Sequence, residues 1–277
     1  MYTISQLFIY PVKSLGGFEV LETELTDRGF KYDRRWMIID SNNNFLTQRE
    51  FAQMSLLQTA IFNDQLIIFN KDNREDKIAV SLHYEPAATI KVTIWEDECS
   101  AQYVSADADK WLTDKLKMNC RLVYMPDAEK RKVDEQYALH NELTNFSDGY
   151  PLMMIGQASL DELNGRLPEA IPMDRFRPNI VFTGGKPFEE DTMKYIKINT
   201  IDLFGVKLCA RCNVTTIDQR SSLKSKEPLK TLSEYRLKNN KIYFGQNLLF
   251  QSTGTMQVGN IIELEERKVS VFDEHNV

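Results

Sequence analysis

SQLFIYPVKSLGGFEVLETELT, Ser5–Thr26, reads as strand on both sides of a break. Ser5–Val12 alternates or runs apolar, SLGG at 14–17 interrupts it, and Phe18–Thr26 alternates at period two. Successive strand side chains point to opposite faces of a sheet, so this pattern predicts half-buried strands. The rest of the first hundred residues continues it. WMIID (36–40) and FLTQRE (45–50) flank the turn-rich SNNN, a predicted hairpin. QTAIF (58–62) and QLIIF (65–69) flank Asn63-Asp64, a second hairpin, and KIAVSL (77–82) and IKVTIW (90–95) follow. Many short strands separated by turn signals predict a barrel or a sandwich.

Helical spacing enters later. Residues 107–117 place Trp111, Leu112 and Leu116 on one face. QASLDELNGRL (157–167) carries Ser159 and Glu162 at capping-box spacing, with Gly165 near its stop. KEPLKTLSEYR (226–236) has Pro228 at a first-turn position and Leu229, Leu232 and Tyr235 on one side. Around these lie further strand candidates: RFRPNIVF (175–182), KYIKINTIDLFGVKL (194–208), NVTTID (213–218), LLFQS (248–252) and NIIELEE (260–266). The fold class expected is mainly β with peripheral helices (α+β), as two β-barrel-like domains. The charged, turn-rich stretch 118–150 puts the boundary near residue 120, giving domains 1–120 and 121–266 and a polar tail over 267–277.

Composition narrows the function. With 277 residues, 42% apolar and 27% charged, the chain is an ordinary globular protein of one large or two modest domains. No apolar run approaches the roughly 18 residues of a membrane helix, and the N-terminus has no secretory pattern, so no membrane partner and a cytoplasmic location are expected. A net charge of −6 argues against nucleic acid as partner. Four cysteines without an export signal read as reduced thiols, and the three scattered histidines form no zinc motif.

Four stretches can carry chemistry. In RFRPNIVF, an extended chain would present Arg175, Arg177 and Asn179 on one face, a donor-rich strip suited to phosphate or carboxylate. Pro178 cannot donate to a ladder, which predicts an edge strand, and the alternative is surface arginines paired with acids. In YPVKSLGG, Lys13, Ser14 and amides beside Gly16 and Gly17 could form an anion nest, or merely a turn, since the phosphate-loop spacing is absent. In YDRRWMIID, Arg34 and Arg35 stand at the mouth of an apolar strand, facing a cleft or simply ion-paired with Asp33 or Asp40. In LCARCNVTTID (208–218), Cys209 and Cys212 lie between strand-like segments, which removes the helix dipole of a dithiol oxidoreductase. Cys99 and Cys120 make no second pair, which weakens a structural zinc. What remains is one thiolate flanked by cations and suited to a redox-active metal with other ligands from a cofactor, or two buried thiols acting as small hydrophobes.

The ordered set IYPVKS, DRRWMIID, FLTQRE, RFRPNIVF, CARCNVTTID and KEPLKTLSEYR resembles the MOSC family with its N-terminal partner domain, over about Leu7 to Glu263. The subgroup it resembles is the mitochondrial amidoxime-reducing component and its bacterial relatives. The resemblance implies a β-barrel-rich N-terminal domain, a MOSC barrel, and a molybdenum–pyranopterin (Mo-molybdopterin) cofactor. It implies Cys212 as the metal ligand and catalytic residue, with Cys209 dispensable. Carried over residue by residue, it implies cofactor contacts from Lys13, Ser14, Arg34, Arg177, Asn179, Ala210 and Arg211. Asp148 and Gly149 contribute by the same comparison, and Arg175 is left beside the cofactor or at the substrate mouth. The implied reaction reduces small N-hydroxylated substrates, N–OH to N–H plus water. The chain shows no GxGxxG and no plant-type iron–sulfur spacing, so a separate electron-donor protein (haem, iron–sulfur or flavin) is expected. The alternative is a non-catalytic carrier or binding protein for molybdenum cofactor or sulfur.

Overall fold

The computed structural model describes residues 1–273, and residues 274–277 of the expected tail lie outside the described residues. Seven strands close into a barrel in the order Leu152–Gly156, Ile180–Thr183, Tyr2–Ile9, Ile261–Arg267, Met193–Ile198, Ile201–Ala210 and Lys241–Phe250, which returns to Leu152–Gly156. Closure leaves these strands no free edge. The pair Leu152–Gly156 and Ile180–Thr183 is parallel, and the helix Gln157–Arg166 supplies its crossover. Ile4, Leu7, Met154, Phe182, Ile196, Leu203 and Leu248 fill the interior, each worth about 1.5–3 kcal/mol when fully buried.

The other half holds a four-stranded sheet (Trp36–Ile39, Arg121–Tyr124, Asp97–Tyr103, Thr89–Ile94) and a meander (Leu57–Phe62, Gln65–Asn70, Asn73–Ser81). The helix Ala106–Leu116, capped by the Ser105 hydroxyl, buries Leu112 and Leu116 against Leu122 and Trp36. Both predicted hairpin turns form, at Asp40–Asn44 and at Asn63-Asp64. The halves are interwoven. Tyr2–Ile9 belongs to the closed barrel, and Glu22–Thr26 pairs with Gly254–Gln257 near the other end of the chain. Gln48 and Gln219, both buried, exchange amide hydrogen bonds at 3.2 and 3.0 Å across the seam, and Gln48 also donates to the Ser14 carbonyl.

Three local expectations fail for identifiable reasons. RFRPNIVF is not an edge strand: extended structure begins at Ile180, which is paired on both sides. NVTTID is not a strand, because Asn213–Thr216 closes a 3-10 turn in which the Thr215 hydroxyl donates to the Cys212 carbonyl. Ser159 does not cap its helix. Its hydroxyl, fully buried, donates to Glu190 Oε2 at 2.8 Å and accepts from the Phe188 amide at 2.7 Å.

That last contact places a carboxyl in the core. Burial, and then the adjacent Asp191 carboxylate, push Glu190 from 4.5 up to about 7. The folded chain therefore holds a proton that the unfolded chain releases at lower pH. This contribution to stability is complete below about 4.5 and is lost as pH rises through about 7. Glu190→Gln should remove a decline on the order of 3 kcal/mol across that window. Urea midpoints from pH 4.5 to 7.5 check it: a slope as steep as that of the parent chain would refute the assignment.

Candidate functional site

A cavity of about 300 Å3 opens at the seam of the two halves. Its wall includes Lys13, Ser14, Arg34, Asp148, Gly149, Arg177, Asn179, Ala210, Arg211 and Cys212, the ten residues that the family resemblance assigned to the cofactor. They come from five separate segments: the loop after Tyr2–Ile9, the turn before Trp36–Ile39, the loop before Leu152–Gly156, the approach to Ile180–Thr183, and the end of Ile201–Ala210. Seven basic side chains line it (Lys13, Arg34, Arg49, Arg175, Arg177, Lys207 and Arg211) against one acidic side chain, Asp148. In a chain of net charge −6, that concentration makes the cavity an anion trap.

At one end Arg34 and Arg177 meet on Tyr10, each guanidinium carbon 4.4 Å from the ring centroid. Arg34 grips Asp33 with Nη1 at 2.6 and 2.8 Å and donates through Nη2 to the Arg177 carbonyl at 3.1 Å. The intramolecular ion pair allowed by the sequence thus forms, and Arg34 still faces the cavity. Arg177 donates to the Leu15 carbonyl at 2.6 Å and has no carboxylate within ion-pair distance among the described residues. Burial first, and Arg34 second, lower Arg177 to about 10, which leaves it cationic at neutral pH. Arg177 (φ 57°), Arg34 (φ 49°) and Ser14 (φ 68°) all occupy left-handed backbone. Each costs about 1–3 kcal/mol, and such strain gathers where a ligand is clamped.

Lys13 sits beneath this end, 5% exposed, donating to the Phe146 carbonyl at 2.9 Å and to Asp148 Oδ1 at 2.5 Å. Burial lowers it to about 8, with Asp148 opposing the shift. For Asp148, burial raises the carboxyl pKa, but Lys13 and then Arg49 outweigh it and hold the group well below the usual range. Of the two readings of SLGG, the turn is the one the backbone amides favour. The amides of Lys13, Leu15 and Gly16 go to the carbonyls of Trp36, Val12 and Leu57. Gly17 is instead a packing necessity, since a Cβ there would meet the Ile9 carbonyl oxygen at 2.4 Å. Asn179 lines the cavity with an amide already engaged. Its Oδ1 accepts from the Met153 amide at 3.2 Å and its Nδ2 donates to the Phe8 carbonyl at 3.3 Å, which ties two barrel strands together.

The thiol end is built from the 3-10 turn. Arg175 donates to the Thr215 carbonyl at 2.9 Å and reaches Asp218 at 3.5 Å, so it braces the turn from behind. Arg211 donates to the carbonyls of Phe244 (2.7 Å) and Phe176 (2.9 Å). Gly245, at φ +85°, makes room for it: a Cβ there would lie 3.2 Å from Arg211 Nη2. Cys209 is half-buried beside a hydrophobic cluster, and burial raises its thiol pKa. All four cysteines are free. Arg49 is the residue missed in the sequence. Its Nε lies 3.2 Å from Cys212 Sγ, with its guanidinium 4.1 Å over Trp95. Nothing in FLTQRE signals this, because the contact spans 163 residues. Among the described residues no three His, Cys, Asp or Glu side chains converge. A metal on Cys212 would therefore draw its other ligands from a cofactor.

Fold and cavity together define a protein of one closed β-barrel joined to a half-barrel β unit, with a cationic ligand chamber and a thiol in its wall. Residues 1–119 match the MOSC N-terminal beta barrel domain and residues 141–263 the MOSC domain. The chain is 32% identical to mouse mitochondrial amidoxime-reducing component 1, over 95% of this chain and 82% of the relative. To the human protein of the same name it is 30% identical, with the same coverage. It is 31% identical to the molybdenum cofactor sulfurase of rice, over 87% of this chain and 32% of that longer protein. The chain belongs to the MOSC-domain family, joined to an N-terminal MOSC β-barrel domain, as its motifs implied. By name two of these relatives are amidoxime-reducing components and the third is a sulfurase of the molybdenum cofactor. Among the described residues no helix is long and apolar enough to cross a membrane.

Thiol reactivity checks the geometry. Burial pushes Cys99 and Cys120 up to about 11 and raises Cys209, which leaves little thiolate at any of the three near neutral pH. Iodoacetamide on the native protein at pH 8 should modify Cys212 first, read by peptide mass. Modification of Cys209 ahead of Cys212 would contradict the arrangement.

Proposed function

We propose that this protein is a molybdenum-cofactor-dependent reductase of N-hydroxylated compounds, converting N–OH to N–H plus water with electrons from a separate donor protein. One observation carries the reading: the thiol of Cys212 and the cationic chamber share one cavity. The donor set suits a phosphorylated, metal-bearing cofactor. A buried guanidinium without a carboxylate partner, Arg177, suits a phosphate, and a single thiol suits a metal whose other ligands arrive with the pterin. The bound cofactor would supply two-electron redox chemistry at its metal.

The chain's own residues bind and position. Arg177, Arg34 and Lys13 hold the anionic end, with Tyr10 fixing both arginines and Asp148 fixing the lysine. Cys212 holds the metal, on a turn that Arg175 braces. The amidoxime-reducing relatives support the reductase reading, and the cytoplasm is the proposed location. A carrier of the cofactor or of sulfur is the second reading, favoured by the likeness to the rice sulfurase.

Metal and pterin analysis tests the assignment. The purified protein should hold molybdenum at about one per chain, lost in Cys212→Ser and kept in Cys209→Ser. Equal loss in both variants, or bound zinc, would overturn it. With a chemical reductant, the molybdenum-loaded protein should reduce benzamidoxime, and a loaded but inert protein would favour the carrier.

A further inference from the structure

Arg49 belongs to the half of the molecule that carries neither the thiol nor most of the chamber, yet it touches Cys212 Sγ. Several contacts hold it there. Trp95 lies against its guanidinium at 4.1 Å, and Asp148 Oδ2 is 3.8 Å from Nη2. Its carbonyl accepts from Lys224 Nζ at 3.1 Å, and its amide donates to Thr47 Oγ1 at 3.3 Å. The preceding residue, Gln48, is locked to Gln219 across the seam.

Apart from Arg177 at the far end, which has the Leu15 carbonyl alone, the other arginines of the cavity are more fully engaged. Arg34 is paired with Asp33, Arg175 with Thr215 and Asp218, and Arg211 with the carbonyls of Phe244 and Phe176. Arg49 makes one side-chain hydrogen bond, to the sulfur, and its side chain is 28% exposed. Among the described residues Nη1 therefore has no hydrogen-bond partner and Nη2 has only the 3.8 Å contact with Asp148, beside the sulfur that would hold the metal. A planar guanidinium with free N–H groups recognises anionic or strongly accepting oxygen.

We propose that Arg49 is the substrate-side residue of the Cys212 centre, steering the oxygen-bearing or anionic end of a small molecule to the sulfur and holding it there. The inference rests on Cys212 being the reacting centre, and it names the matching substrate class: compounds that present an exposed N–O or other anionic oxygen at their leading end.

Metal-free protein provides the test, so that failure here is distinguishable from failure of the reductase reading. The rate of Cys212 modification is measured by peptide mass with iodoacetate, an anion, and with iodoacetamide, its neutral analogue. Their ratio cancels any change in the thiolate fraction. Arg49→Gln should lower the iodoacetate-to-iodoacetamide ratio about tenfold, and Arg49→Lys, which keeps the charge, should recover most of it. A ratio unchanged in Arg49→Gln overturns the proposal. Should Arg49→Gln fail to fold, a Lys variant whose ratio falls as far as that of Arg49→Ala overturns charge steering. Molybdenum content should be the same in Arg49→Gln as in the parent. Its loss would make Arg49 a cofactor anchor instead, and would also overturn the proposal.

Discussion

Seven cations around one cavity with one carboxylate on its wall is the constraint on which the rest of this structure depends. Taking guanidinium and ammonium groups out of water costs several kcal/mol each unless other dipoles replace the water. Here carbonyl oxygens and ring faces do so. Arg177 has the Leu15 carbonyl, Arg211 the Phe244 and Phe176 carbonyls, and Lys13 the Phe146 carbonyl. Arg34 and Arg177 share Tyr10, Arg49 lies on Trp95, and Lys207 lies 4.0 Å over Tyr137. Asp33, Asp148 and Asp218 partly neutralise Arg34, Lys13, Arg49 and Arg175, while Arg177, Arg211 and Lys207 keep uncancelled charge toward an anionic ligand.

The interwoven topology follows from the same need. The carbonyls that receive the cations sit on several separate segments, and those segments must be held in register. Leu15, which accepts from Arg177 across 162 residues, follows the first strand of a barrel whose other strands lie beyond residue 150. Asn179 bonds that strand at Phe8 and the strand Leu152–Gly156 at Met153. The left-handed backbone at Ser14, Arg34 and Arg177 is sustained because the flanking residues are pinned on both sides. The amide clasp of Gln48 and Gln219 extends this order to the loop that delivers Arg49.

Strand periodicity was legible wherever one face is buried. The alternation in Phe18–Thr26 and the paired runs around Asn63-Asp64 became the sheets they predict. It misled where polar side chains bond to backbone. RFRPNIVF reads as a strip of two arginines and an amide, but Pro178 and the turn at Met173–Arg175 break the extension, and Arg177 reaches the cavity through positive φ. Ser159 and Glu162 have cap spacing, yet the burial of Glu190 claims the Ser159 hydroxyl. Motif resemblance located the ten wall residues, because it encodes tertiary neighbours that spacing does not.

By itself the sequence determined a mainly β chain with three helices in place, because side-chain period is a local property, and it left the cysteine pair open between a metal-binding thiolate and buried thiols. Tertiary structure alone decided that Tyr2–Ile9 closes the distant barrel, that the chamber's cations converge, and that Arg49 meets Cys212. Those outcomes depend on which carbonyls and rings can replace water around each charge, and several of those partners lie more than a hundred residues away.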